Sequence, residues 1–241
     1  MGEALEVHLQ RQVDHSGRFF WHRLRWKAVR DHLPKRGQFV LVDVGAGAGL
    51  LADYLTRDRA EATYRFVEPI ESLRTMLRER HGTGADAGDD IRFSGAGYVT
   101  LLDVLEHQED DRAFMTDLVA KMETGSVLLV TVPALQKLWS PWDVALGHFR
   151  RYDKASLERA VEGLPVRVDE ISYLFPEMVP LGWWRARKGR RDAKPVEEGS
   201  AEFPELPNAV NDAVYGVGLG SLALRRWWPF GTSLLMAVTV D

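Results

Sequence analysis

The chain has 241 residues, and 45% of them are apolar, which is enough to bury one substantial core and favours a single domain. The formal net charge of -4 disfavours a general nucleic-acid binder, because such proteins usually carry a basic excess. The chain has no cysteine, which excludes disulfides, thiolate metal sites and cysteine nucleophiles.

The N-terminus lacks the basic segment and apolar run of a signal peptide. No apolar stretch reaches the roughly 18 to 20 residues that a membrane span needs. We therefore expect a soluble cytoplasmic protein without stable membrane insertion.

Short apolar strands alternate with helices along the chain. Phe39–Val44 is typical of a buried strand, and it ends in a glycine cluster that precedes a helix from Leu50. The pattern predicts further strands at residues 64–68, 98–103, 126–132, 166–173 and 233–240, and further helices at residues 69–80, 110–122 and 153–162. This alternation indicates an α/β fold with a mostly parallel sheet.

The glycine cluster is the most informative string. Glycines after a buried strand let the backbone approach a ligand without an intervening Cβ, and the next helix presents free N–H groups there. A dinucleotide fingerprint that began at Gly45 would require glycine or alanine at position 50, which is Leu50. The acid-x-Gly-x-Gly-x-Gly pattern instead resembles the first motif of class I S-adenosylmethionine-dependent methyltransferases. The resemblance implies a cofactor site that includes Asp43, Gly45, Gly47 and Gly49.

Further strings match the same family in chain order. Glu68 ends the second predicted strand, where a carboxylate can accept two hydrogen bonds from the ribose hydroxyls. By resemblance, Asp86 in the Gly-Ala-Asp-Ala string lies near the adenine, and Asp103 in Leu-Leu-Asp-Val-Leu-Glu-His lies near the methionine end. The resemblance implies a doubly wound seven-stranded sheet in the order 3-2-1-4-5-7-6, with only the last strand antiparallel.

Two features next to these strings have two readings each. Arg23 or Arg25 could bring positive charge to the methionine carboxylate from an N-terminal helical lid over residues 1–37, or the same stretch could be an amphipathic helix packed on the sheet. His107 could be catalytic, but we interpret it as structural, because the Leu-Glu-His string recurs in this group across many substrates.

The segment after the fifth predicted strand should face the methyl acceptor. Its Leu-Trp-Ser, Asp and Gly-His-x-Arg-Arg-Tyr pattern, which ends at Tyr152, resembles small-molecule methyltransferases related to the ubiquinone and menaquinone type. An O–H or N–H acceptor needs a base with a pKa near neutrality, which fits histidine. We predict that His148 is this base and that Asp143 orients it, binds substrate or is itself the base. Trp142, Arg150 and Tyr152 are predicted to bind the acceptor, although the last two could instead brace the loop.

The sequence therefore predicts methyl transfer from S-adenosyl-L-methionine to an O or N atom of a small molecule, with no metal and no nucleic-acid partner. The alternatives are a nicotinamide-dependent oxidoreductase on a Rossmann-like sheet, a non-catalytic S-adenosylmethionine-binding protein, and an RNA or protein methyltransferase, which the basic residues 185–191 favour weakly. Residues 175–207 are expected to form an exposed insertion that covers the pocket. Their two tryptophans beside basic residues would also suit a membrane surface.

Overall fold

The computed structural model describes residues 19–88, 93, 95–192 and 206–241. These residues contain six strands: β1 (Phe39–Val44), β2 (Ala62–Val67), β3 (Tyr98–Leu102), β4 (Val127–Pro133), β5 (Val166–Leu174) and β6 (Ser233–Val240). They also contain α-helices α1 (Phe20–Arg30), α2 (Leu50–Asp58), α3 (Glu71–His81), α4 (Asp111–Ala120), α5 (Pro141–Ala145), α6 (Lys154–Arg159), α7 (Val179–Asp192) and α8 (Asn208–Ala223).

The six strands form one mixed sheet in the order β2-β1-β3-β4-β6-β5. Strands β1 to β4 pair in parallel, and β6 runs antiparallel to both β4 and β5, as predicted for the last strand. The carboxyl ends of the first strands therefore meet at one edge of the sheet, which is where open α/β sheets bind ligands.

The predicted seven-stranded order is not confirmed, because the described residues form six strands. The segment expected to be the third strand makes a single parallel bridge between Phe66 and Asp86, beside β2. Gly82 and Gly88 flank it with φ angles of +86° and +70°, so the backbone leaves the extended conformation on both sides. Within the described residues, the contact of this segment with β2 is therefore an isolated bridge.

Helices cover both faces of the sheet. Met115 and Leu118 of α4 and Leu157 of α6 belong to one apolar cluster with the sheet. On the other face, Trp26 of α1 packs in a cluster with Leu51 and other residues of α2. Because both faces are covered, the edge at the strand ends is left as the place for a site.

Helix α8 was not expected from the sequence. It packs against α1, and Gly218 permits the close approach, since a Cβ at that position would lie 2.1 Å from Leu24 Cδ1. Phe20 and Leu24 are buried in this contact together with Leu222. The contact fixes α1 above the edge of the sheet.

The expected insertion is partly helical. Helix α7 lies within residues 175–207, and its Trp183 and Trp184 are 50% and 54% exposed. Residues 193–205 of this segment and residues 1–18 of the expected lid lie outside the described residues. No helix in the described ranges is long and apolar enough to cross a bilayer.

Candidate functional site

A cavity of about 510 Å³ opens at the carboxyl ends of β1, β2 and β3. Its walls come from the segments after these strands, from α1 and from the start of α7. The predicted site residues that line it are Asp43, Gly45, Gly47, Glu68, Asp103, Trp142 and His148. The cavity therefore joins the glycine cluster to the segment that was predicted to face the acceptor.

The loop after β1 depends on its glycines. Gly45 and Gly47 have φ angles of +72° and +55°, which side-chain-bearing residues rarely adopt. A Cβ on Gly45 would also lie 2.6 Å from Cγ2 of Val104. Gly49 was predicted to bind cofactor but does not line the cavity. It precedes α2, where its backbone faces the side chain of Leu77.

Glu68 joins the glycine loop to the segment after β2. Its residue exposure is 2%, and its Oε2 accepts a hydrogen bond from the Gly47 N–H at 2.7 Å. Its Oε1 accepts one from the Ile70 N–H at 2.9 Å. Burial raises the pKa of this carboxyl, and the two N–H donors oppose that shift. The Glu68 carboxylate is thus held in the cavity wall as a hydrogen-bond acceptor.

Asp43 lies beneath the loop. Its carboxylate accepts hydrogen bonds from Thr100 Oγ1 at 2.8 Å and from the Tyr64 hydroxyl at 3.3 Å. Burial raises the pKa of Asp43 to about 6, although both hydrogen bonds act in the opposite direction. Asp43 therefore supports the end of β1 as well as lining the cavity.

Asp103 follows β3 in a left-handed conformation, with a φ of +57°, which is uncommon for a residue other than glycine. Its carboxylate forms an ion pair with Arg25 of α1 and accepts a hydrogen bond from Thr131 Oγ1 at 3.1 Å. Arg23 instead pairs with Asp212 at 2.9 Å, outside this cavity. Of the two arginines considered from the sequence, Arg25 is the one at the cavity.

Asp86, which was predicted to bind the cofactor near the adenine, does not line the cavity. Its Oδ2 accepts hydrogen bonds from Arg74 Nε at 2.9 Å and from Arg78 Nε at 2.7 Å, and its Oδ1 accepts one from the Gly88 N–H. Burial opposes the shift, but these donors lower the pKa of the carboxyl. The arginines of α3 thus engage the carboxylate.

The far end of the cavity is built by the segment between β4 and α6. Ser140 and Asp143 form a capping box at the start of α5, in which Asp143 Oδ2 accepts from the Ser140 N–H at 2.9 Å. Gly147, with a φ of +73°, turns the chain after α5. The Phe149 N–H then donates to the Glu106 carbonyl at 2.8 Å, which ties this segment to the one after β3.

His148 and Asp143 form a buried pair in this segment. Nδ1 of His148 lies 3.0 Å from Asp143 Oδ1, and Arg151 Nε donates to the same oxygen at 2.7 Å. Burial alone would raise the pKa of Asp143, but the hydrogen bond from His148 and the charge of Arg151 lower it. A carboxylate at Nδ1 favours a proton there, which leaves the Nε2 lone pair available.

Two predicted substrate-binding residues lie elsewhere. Arg150 Nη1 is 2.9 Å from Asp111 Oδ2, and the Tyr152 hydroxyl donates to the same oxygen at 2.8 Å. Neither residue lines the cavity, so the structure does not bring them to the place predicted for the acceptor. They brace the segment against the start of α4, while Trp142 remains in the cavity wall.

Glu106 and His107 are functional candidates that the sequence analysis did not select. Both line the cavity, and the rings of His107 and His148 meet edge to face with centroids 4.8 Å apart. Burial, followed by the negative charge of Asp103, raises the pKa of Glu106 well above its usual range. One ligand atom from each of Glu106, His107 and His148 lies within 4.8 Å of the others, so this group could hold a metal ion. The sequence feature that could have pointed to these two residues is the Leu-Glu-His string that contains them.

Comparison with known proteins identifies the family of the chain. A family model described as "Methyltransferase domain" matches residues 9–168, which is more than half of the chain. The chain therefore belongs to this methyltransferase family. It is an S-adenosyl-L-methionine-dependent methyltransferase, and S-adenosyl-L-methionine is its cofactor. No curated protein matches the sequence.

Solved structures share the fold at low sequence identity. A chain from the complex of the Haloferax volcanii Trm112 methyltransferase activator with a putative methyltransferase has a TM-score of 0.62 and 14% identity, with 99% of this chain and 95% of that chain covered. A SAM-dependent methyltransferase from Archaeoglobus fulgidus has a TM-score of 0.53 and 14% identity, with 90% and 94% covered.

Phosphoethanolamine N-methyltransferase 2 from Haemonchus contortus, solved with S-adenosyl-L-methionine, has a TM-score of 0.54 and 12% identity. The alignment covers 92% of this chain and 53% of that one, so the chain spans about half the length of that enzyme. At these identities the likeness shows the fold alone.

Proposed function

We propose that the chain methylates an O or N atom of a small molecule that binds at the His148 end of the cavity. The observation that carries this proposal is one cavity that is lined by both Glu68 and His148, whose Nδ1 is paired with the buried Asp143. The first provides a place for the cofactor ribose, and the second provides polar groups for an acceptor.

The residues at the strand ends fit the cofactor. The carboxylate of Glu68 suits a vicinal diol, and Gly45 and Gly47 allow the backbone to approach the ligand closely. We assign Arg25 and Asp103 to the methionine end of the cofactor, which carries a carboxylate and an ammonium group. The arginine would pair with the carboxylate and the aspartate with the ammonium group. The cofactor supplies a methyl group on a sulfonium sulfur.

His148 is the residue through which we propose that the acceptor is activated. Asp143 holds its Nδ1, so its Nε2 is directed away from that carboxylate. During the reaction an acceptor atom forms a bond to the methyl carbon, and the carbon–sulfur bond breaks with its electron pair left on sulfur. The acceptor loses one proton, which passes by way of the His148 end of the cavity to solvent water. A group that lowers the pKa of the acceptor O–H or N–H, or accepts its proton, assists this step. Alignment of the two reactants lowers the barrier further.

The cavity walls favour a small acceptor. Phe19 and Trp21 before and within α1, Trp142, and Leu181 of α7 line the space, so its surfaces are largely apolar and aromatic. We propose that residues 1–241 form one methyltransferase domain, with residues 1–37 as an N-terminal lid and residues 175–207 as an insertion that covers the pocket. On the pattern of residues 138–152, we place the chain with the small-molecule subgroup related to the ubiquinone and menaquinone type.

The structural neighbours include small-molecule methyltransferases, among them a coclaurine N-methyltransferase and the mitomycin 7-O-methyltransferase MmcR. They support a small-molecule acceptor, whereas the name of the Trm112 complex gives an activator protein and no acceptor.

The test is a transfer assay with methyl-labelled S-adenosylmethionine and a cell extract divided by size into small molecules, protein and RNA. We expect label in the small-molecule fraction with the wild-type chain and much less with His148→Ala. Label confined to protein or RNA would refute the small-molecule acceptor while leaving methyl transfer intact.

A further inference from the structure

Glu106 is a buried carboxylic acid at the methyl-acceptor end of the cavity. Its residue exposure is 1%, and neither carboxylate oxygen accepts a hydrogen bond from another residue in the described ranges. An ionised carboxylate removed from water is costly unless it is paired or coordinates a cation. Its neighbour His148 approaches it at 4.0 Å, from Nε2 to Oε1, which is too long for a hydrogen bond.

The charges around Glu106 balance except for Glu106 itself. Asp103 is paired with Arg25, and Asp143 is paired with Arg151 at 2.7 Å. Within the described residues, no lysine or arginine pairs with Glu106. A bound cation would therefore be the positive group that contacts the Glu106 carboxylate.

The surrounding nitrogens have the character of metal ligands. One ligand atom each from Glu106, His107 and His148 lies within 4.8 Å of the other two. Ligand atoms bound at about 2.0 to 2.2 Å from a common ion lie roughly 3 to 4 Å from one another. Small side-chain rotations would bring the three ligand atoms to these distances. Asp143 at Nδ1 of His148 provides the carboxylate–histidine arrangement that orients metal-bound imidazoles.

We propose that Glu106, His107 and His148 bind a divalent transition-metal cation, with an open coordination position that faces the cavity. Two imidazoles and one carboxylate suit ions such as Zn²⁺, Fe²⁺ or Co²⁺. The proposal rests on the proposed function only in placing the acceptor at this end of the cavity. Here His148 activates the acceptor as a ligand, in contrast to the free base that the sequence predicts.

The cation explains how an acceptor hydroxyl would be activated. Coordination of its oxygen lowers the pKa of the O–H group, as it does for metal-bound water. The O–H bond breaks, the proton passes to solvent water, and the electron pair stays on the metal-bound oxygen. This oxygen is the nucleophile that methyl transfer requires.

Cobalt(II) titration of the full chain tests the site without any substrate. The chain has no cysteine, so visible d–d bands would report nitrogen and oxygen ligands. We expect one Co²⁺ per chain. Glu106→Gln, His107→Ala and His148→Ala should each weaken binding by more than the roughly 10- to 100-fold that loss of an outer ligand partner costs, and Asp143→Asn should weaken it within that range.

His32→Ala is the matched control, because His32 lies beside Glu170 and outside the cavity wall. It should bind cobalt as the wild type does. Absence of bands in the wild type, or binding that Glu106→Gln leaves unchanged, would overturn the proposal. Calorimetry of S-adenosylhomocysteine on the same samples separates the outcomes, since a chain that binds this ligand but no cobalt keeps the proposed function and loses the metal site.

Discussion

Removing the carboxylate of Glu68 is the most informative perturbation of the cofactor site. In the free protein its two oxygens accept hydrogen bonds from the N–H groups of Gly47 and Ile70, at 2.7 Å and 2.9 Å. The Glu68→Ala substitution removes the ribose acceptor and also frees the glycine loop. We therefore expect both cofactor affinity and stability to fall.

The magnitudes follow from these contacts. A hydrogen bond to a charged group contributes about 1.5 to 3 kcal/mol. Because the oxygens of Glu68 already accept two N–H groups, the ribose shares them, and we expect a loss of about 1 to 3 kcal/mol in cofactor binding, or about 5- to 150-fold in Kd. The free energy of unfolding should fall by about 1 to 3 kcal/mol, because Gly47 and Ile70 lose their acceptors.

The assay is isothermal calorimetry with S-adenosylhomocysteine on variants whose folding is checked by circular dichroism. Glu68→Gln keeps one acceptor oxygen and should lie between wild type and Glu68→Ala. Glu71→Ala is the control, because Glu71 has a side chain that is 72% exposed and pairs with Arg78. Unchanged affinity in a folded Glu68→Ala protein would refute the ribose assignment.

Three further predictions concern the acceptor end, the packing of α8 and acid stability. His148→Ala should lower single-turnover methyl transfer by roughly 10²- to 10⁴-fold while calorimetry shows nearly unchanged cofactor affinity; a parallel loss of both would indicate a purely structural residue. Gly218→Ala should lower the free energy of unfolding by about 1 to 3 kcal/mol through overpacking, as measured by urea denaturation. Gly220→Ala, which meets no atom within 4 Å, should not, and equal effects would contradict the packing argument. Burial opposes the shift, but hydrogen bonds from Ser172 and two arginines lower the pKa of Glu170 to about 2. This carboxylate therefore stabilises the fold above its ordinary pKa of 4.5, and up to about 3 kcal/mol is lost as pH falls from there towards 2. Urea denaturation across that window should show a flatter pH dependence for Glu170→Gln, and an unchanged slope would contradict this assignment.

Most of the sheet could be predicted because its signals are local. The apolar runs of β1 and β6 have the same bounds in sequence and structure, since glycine or polar residues flank each run. Helix α8 could not be predicted in the same way. Gly216, Gly218 and Gly220 are poor helix formers, and its packing against α1 depends on residues far away in sequence.

In the candidate site, too, the positions fixed by local sequence could be predicted and those fixed by distant contacts could not. Glu68 follows its strand directly, so its position at the sheet edge could be predicted. The roles of Arg150 and Tyr152 could not be predicted, because both side chains bind Asp111, which lies about 40 residues earlier in the chain. Glu106 gains its importance only when the segment after β4 folds back and brings His148 beside it.

A crystal structure of the chain with S-adenosylhomocysteine would test the central claim most directly. We predict that the ribose hydroxyls bond to Glu68, that the amino acid end lies at Arg25 and Asp103, and that the sulfur faces the end of the cavity formed by His148. A ligand whose ribose lies away from Glu68, or whose sulfur faces away from His148, would contradict the proposed direction of methyl transfer.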